Sequence, residues 1–104
     1  MFKRVLLLSS LLMLSVTEAS ADSLDGDWCN LIDGKLTIDG AVIITPSGNR
    51  VMGNYGRHRF IYTAPEGGWH GGKTIVIQQY SEQLMKLTAG DAASKEWRPC
   101  QVVS

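Results

Sequence analysis

The sequence predicts an all-β fold: a small antiparallel meander or barrel of six to seven strands, closed by one disulfide. Three features predict it. Short runs of β-branched and aromatic residues alternate with turn residues from Lys35 onward. No helical period of useful length appears beyond the N-terminal segment. Two cysteines, Cys29 and Cys100, lie near the two ends of the β-rich region.

The chain opens on the pattern of a leader. Lys3 and Arg4 precede the apolar run Val5 to Val16, and Ala19-Ser20-Ala21 places small residues at the two positions a signal peptidase reads. That order predicts a secretory signal over residues 1–21, cleaved before Asp22. The run is shorter than the ~20 apolar residues a membrane-spanning helix needs. Asp22 stands where a lipoprotein would carry its cysteine. The expectation is one β-rich domain over residues 22–104, exported, with no stable membrane insertion after cleavage.

The strands follow in order. Lys35-Leu36-Thr37-Ile38 and Ala41-Val42-Ile43-Ile44-Thr45 flank Asp39-Gly40, a strong hairpin signal because both central residues of that turn take positive φ. Pro46-Ser47-Gly48-Asn49 is the next turn. Arg50-Val51-Met52 and then residues 55–63 read as strands, with Gly53 and Gly56 marking where a sheet would curl. Residues 64–72, with four glycines, form the longest irregular stretch. Residues 73–80 alternate strictly: Thr74, Val76, Gln78 and Tyr80 face one way and Ile75, Ile77 and Gln79 the other. Residues 83–88 alternate again, with Met85 and Leu87 on one face. The last strand is expected over residues 95–103, with Pro99 favouring an edge or bulge.

Composition bounds the function. The whole chain is formally neutral, and losing Lys3, Arg4 and Glu18 with the leader leaves it close to neutral. No basic stripe invites nucleic acid. A domain this short has a marginal core. Two thiols in an exported chain pair most simply with each other, and closing so long a loop is worth roughly 4 kcal/mol. Zinc would need Cys29, Cys100, His58 and His70 together, and no Cys-x-x-Cys or His-x3-His spacing supports it. No cofactor or metal is expected.

Two resemblances are carried by short motifs. Gly26-Asp27-Trp28 resembles the Gly-x-Trp start of lipocalins and other calycin-like barrels, where the Trp plugs one barrel end. Lipocalins are about twice this length, so the likeness implies a reduced barrel at most. Trp28-Cys29, Ile44-Thr45-Pro46-Ser47-Gly48, Gly53-x-Tyr55-x-Arg57-His58-x-Phe60-x-Tyr62 and Glu96-Trp97-Arg98-x-Cys100 are similar to a set of small exported alphaproteobacterial proteins with no assigned activity. That similarity implies a periplasmic location and supports the cysteine pairing. It supplies no catalytic residues.

Candidate binding residues fall in two groups. As one strand, residues 55–63 would put Tyr55, Arg57, Arg59 and Ile61 on one face and His58, Phe60 and Tyr62 on the other. Two guanidiniums beside apolar surface suit a carboxylate or phosphate; the bland alternative is a solvent face of weak ion pairs. His58 reads as a hydrogen-bonded, partly buried side chain before it reads as a ligand. Trp69 and His70 form the second group. An exposed Trp there would suit a protein or glycan partner; otherwise it folds back over an open barrel end. No nucleophile elbow or zinc-protease helix is present, and Asp25, Asp27, Asp33 and Asp39 lack the Glu that would finish a calcium loop.

The expected function is a non-catalytic periplasmic binding or interaction module, its partner an unknown protein, a glycan or a small anionic ligand. The alternative is a periplasmic inhibitor of lysozyme or a protease, inserting residues 64–72 into an enzyme cleft. A hydrolase or isomerase using His58 or His70 is the third.

Overall fold

A computed structural model describes residues 23–100. The leader expected at residues 1–21 and the expected end of the last strand, residues 101–103, lie outside the described residues. Among the described residues nine strands form: β1 (Gly26–Asn30), β2 (Gly34–Asp39), β3 (Val42–Ile44), β4 (Arg50–Met52), β5 (Asn54–Gly56), β6 (Arg59–Thr63), β7 (Thr74–Ser81), β8 (Leu84–Ala89) and β9 (Lys95–Pro99). All pairings are antiparallel, in the order β4-β3-β2-β1-β9-β8-β7-β6-β5. No helix among the described residues is long and apolar enough to cross a membrane.

The expectation of six to seven strands was too low, for two physical reasons. The first strand, Gly-Asp-Trp-Cys-Asn, has one strong β-former flanked by residues depleted in strands. It is held by tertiary pairing with β2 and β9. The second reason lies at residues 55–63. Arg57 and His58 form a tight turn there, with Gly56 opposite Arg59 and Tyr55 opposite Phe60. Neither turn residue is Gly, Pro, Asn or Asp, so the break carries no local signal.

The two ends of the strand order, β4 and β5, are neighbours in the chain, separated only by Gly53. They act as two halves of one bent strand. The first half pairs with β3 and the second with β6, so the sheet curls into a nearly closed barrel. Gly53 is required by close approach: a Cβ there would lie 2.5 Å from Phe60 Cε1 and 2.8 Å from the Ile61 carbonyl oxygen. Its N–H donates to the Ala41 carbonyl at 2.8 Å, carrying the ladder across the bend.

At the opposite seam, β1 and β9 pair over only Trp28–Pro99 and Cys29–Arg98. Pro99 has no N–H to continue the ladder. The Cys100 N–H reaches the Asp27 carbonyl at 3.1 Å instead. The Cys29–Cys100 disulfide then ties the seam, with Cα atoms 4.9 Å apart across a sequence separation of 71. The expected pairing is therefore present, and it joins the first strand to the last.

Alternation explains the core. Trp28, Leu36, Ile38, Ile43, Phe60, Tyr62, Ile75, Ile77, Met85, Leu87 and Trp97 all point inward and are buried. On β7 the inward set is Ile75, Ile77 and Gln79, as its alternation predicts. The β2–β3 hairpin also forms where expected, but its turn residues are Gly40 and Ala41, and only Gly40 takes positive φ, at 57°. Leu24 is fully buried ahead of β1. Its carbonyl accepts the Trp28 indole N–H at 2.8 Å, so Trp28 and Leu24 fill one end of the barrel together.

Candidate functional site

The turn at Arg57 and His58 moves Tyr55 off the face expected for a single strand, while Arg59 and Ile61 still alternate with Phe60 and Tyr62. Tyr55 shares the inner face with Phe60, their rings meeting edge-on at 6.4 Å. Arg59 is exposed on the outer face of β6. Arg57 lies in the turn, where its carbonyl accepts the Leu24 N–H at 3.1 Å. The Tyr55 hydroxyl donates to Asp25 Oδ2 at 2.8 Å. Desolvation, followed by that bond to a carboxylate, raises the Tyr55 pKa.

Trp69 and His70 sit at the other end of the barrel. β6 runs from the Arg57–His58 turn to the loop that carries them, and five strand residues span about 17 Å. Trp69 folds back: its ring meets the buried Trp97 edge-on at 6.0 Å, and His70 packs against it at 4.4 Å. His70 takes φ of 55°, which turns the chain back over the barrel end. The loop is further closed by Gly72 N–H to Ala64 O at 2.9 Å and Lys73 N–H to His70 O at 3.1 Å. The structure thus brings Tyr55 and Arg57 to one barrel end and Trp69 and His70 to the other. They do not share one concavity.

His58 is tied to structure. Its Nδ1 lies 2.8 Å from Gln79 Oε1. Gln79 is buried, and its Nε2 donates to the Ser23 carbonyl at 3.2 Å and the Ser81 carbonyl at 3.0 Å. Both acceptors are carbonyls, so the amide orientation is determined, and Oε1 can only accept. In the neutral ring the proton is therefore on Nδ1, and Nε2 is left as an acceptor.

The feature that sequence reasoning missed is the β1–β2 turn. Leu31 and Ile32 are 106% and 81% exposed, the most exposed large apolar side chains described. The backbone beneath them is held. Asn30 Oδ1 accepts the N–H groups of Ile32 and Asp33 at 2.8 and 3.1 Å, and Asn30 Nδ2 donates to the Glu96 carbonyl at 3.0 Å. Lys95 reaches Asp33 at 3.7 Å. The disulfide anchors the same strand one residue earlier.

Below the tip, an open and mainly apolar hollow of about 690 Å³ runs along the outer wall, beside Cys29, Lys35, Arg98 and Pro99. Its charges are matched locally: Lys35 lies 3.9 Å from Asp27 and Arg98 lies 3.4 Å from Glu96. In the sequence, Leu31-Ile32 reads as core material. Only the Asp33-Gly34 that follows hints at a turn.

Among the described residues, no group of three or more His, Cys, Asp or Glu side chains is placed to hold a metal ion. Cys29 and Cys100 are bonded to each other. No family model matches the chain, and no curated protein or solved structure matches it.

Proposed function

We propose that this protein is a non-catalytic, exported binding module that engages a protein partner through the Leu31–Ile32 tip. One observation carries this reading: two adjacent, strongly exposed apolar side chains stand on a turn whose backbone is already fixed. The two side chains are continuous with the mainly apolar hollow beneath them, and contiguous exposed apolar surface marks interaction sites. A rigid tip also loses little conformational freedom on binding. The locally matched charges around it favour an apolar protein pocket over a small anion or a nucleic acid. Export to the periplasm is supported by the leader signature of residues 1–21 and by the disulfide, which persists in oxidising compartments.

Inhibition of a lysozyme or a protease is a second reading of the same tip. In the loop over residues 64–72 the Trp69 ring packs on Trp97 and is partly buried, whereas the Leu31–Ile32 hairpin projects apolar side chains on a pre-set backbone that suits insertion into a cleft. The test is capture from a periplasmic extract on immobilised oxidised protein, alongside Leu31→Asp and Ile32→Asp. A partner retained by the parent and lost from both variants, with circular dichroism unchanged, supports the reading. Retention that is equal in all three overturns it. A lysozyme or protease as the retained partner, with its activity suppressed, selects the inhibitor.

A further inference from the structure

At the far end of β7 the ladder with β8 shifts register between Gln79 and Ser81, leaving Tyr80 as the extra residue of a bulge. Bulges re-aim side chains and are common beside binding sites. Here Tyr80 is thrown outward, 62% exposed. Next to it is a hollow of about 350 Å³ lined by His58, Gln78, Tyr80, Ser81 and Glu82. This lies at the opposite end of the barrel from the Leu31–Ile32 tip, so it is independent of the function proposed above.

The hollow combines one aromatic face with acceptors. His58 presents Nε2 because Gln79 holds the proton on Nδ1. Glu82 adds a carboxylate, and Ser81 a hydroxyl whose oxygen accepts the Gln83 N–H at 3.1 Å and keeps its second lone pair. Charge then selects the ligand. Charges of both signs border the hollow: Glu82 lines it, while Arg59 and Lys86 both stand opposite the lining Gln78 in the ladder, so an anion meets Glu82 and no uniformly positive field. The Lys86 ammonium lies over the Tyr80 ring at 5.2 Å, so a second cation stacked on that ring would meet like charge. What remains is a neutral molecule with an apolar face to lie on an aromatic ring and several hydroxyl donors at its edge.

We propose that the hollow at the β7 bulge binds a neutral saccharide, with Tyr80 as the stacking platform and His58, Ser81 and Glu82 receiving sugar hydroxyls. Lys86 holds one face of the ring and leaves the other for the sugar. His58 and Gln79 give the site its rigidity.

The test is titration of the ¹⁵N-labelled, oxidised protein with two neutral probes, maltotriose and the trimer of N-acetylglucosamine, and two charged ones, glucose 6-phosphate and arginine amide. At least one neutral probe is expected to shift the amides of residues 78–82 with Kd of about 1 mM or tighter. Tyr80→Ala weakens it at least about tenfold, while Tyr80→Phe and Leu31→Asp leave it unchanged. No shift with either neutral probe at about 20 mM overturns the proposal. So does a shift that survives Tyr80→Ala, or charged probes that bind as tightly as the neutral ones.

Discussion

Tyr55 donates its hydroxyl to Asp25 Oδ2 at 2.8 Å, tying the second half of the bent strand to the segment that enters the barrel ahead of β1. The other oxygen of Asp25 accepts the Gly40 N–H at 2.7 Å, in the turn between β2 and β3. One carboxylate therefore holds elements on both sides of the β4–β5 bend. Hydrogen bonds to a charged group contribute about 1.5–3 kcal/mol, less where water competes. Asp25→Ala is expected to cost about 2 kcal/mol and Tyr55→Phe about 1 kcal/mol in urea unfolding. Their double mutant should cost clearly less than the sum.

Gly53 has no room for a methyl group, since its Cβ would meet the Phe60 ring at 2.5 Å and the backbone of Ile61 at 2.8 Å. Gly53→Ala should destabilise by about 2–3 kcal/mol through overpacking. The Phe60 ring can be trimmed but the Ile61 carbonyl cannot. Adding Phe60→Leu should therefore recover only part of the loss on the Gly53→Ala background, read as midpoints of urea unfolding.

Tyr62 is buried on β6, and its hydroxyl is a buried polar atom without a hydrogen-bond partner; the Trp97 indole nitrogen is another. Burial pushes the Tyr62 pKa up to about 12 from 10.0. Above pH 10 the unfolded chain releases this proton while the folded chain retains it. The unfolded state then binds fewer protons, so stability falls as pH rises. Its loss should run from pH 10 to about 12, with no contribution from this group below pH 10. Tyr62→Phe should match or exceed parent stability at pH 7, by up to about 1 kcal/mol. It should also flatten the alkaline slope, as measured by urea midpoints between pH 8 and 11.

The β1–β9 seam has two register pairs and one covalent tie. Reduction, or Cys29→Ser with Cys100→Ser, should cost roughly 4 kcal/mol by the chain-entropy model. The first amides to lose protection should be those of β1 and β9, not those of β7 and β8. Hydrogen exchange of the reduced and oxidised forms would compare them residue by residue.

What could be read beforehand depended on how locally each feature is encoded. β7 was legible because Ile75, Ile77 and Gln79 alternate with more polar neighbours over a full strand. The β2–β3 hairpin was legible because Gly40 supplies a conformation other residues avoid. The Arg57–His58 turn was not, since partners on β7 and the Leu24 N–H hold it rather than its own residue types. That one hidden turn put Tyr55 on the same face as Phe60 and separated it from Arg59. Trp69 was ambiguous because an aromatic in a glycine-rich loop can face either way; packing on Trp97 decides it. Leu31 and Ile32 carry no local sign of exposure, and the tertiary placement of their turn sets them in solvent.

The proposed contact surface depends on a Leu31–Ile32 tip that is rigid before it meets anything. Site-resolved hydrogen exchange at Ile32 and Asp33 tests it most directly, because their amides are bonded to Asn30 Oδ1 while the side chains above lie in water. Measurable protection at both amides, abolished by Asn30→Ala, is the predicted result. Exchange at the rate of an unstructured peptide in the oxidised parent would mean that the turn is loose, and the account of the contact surface would fail.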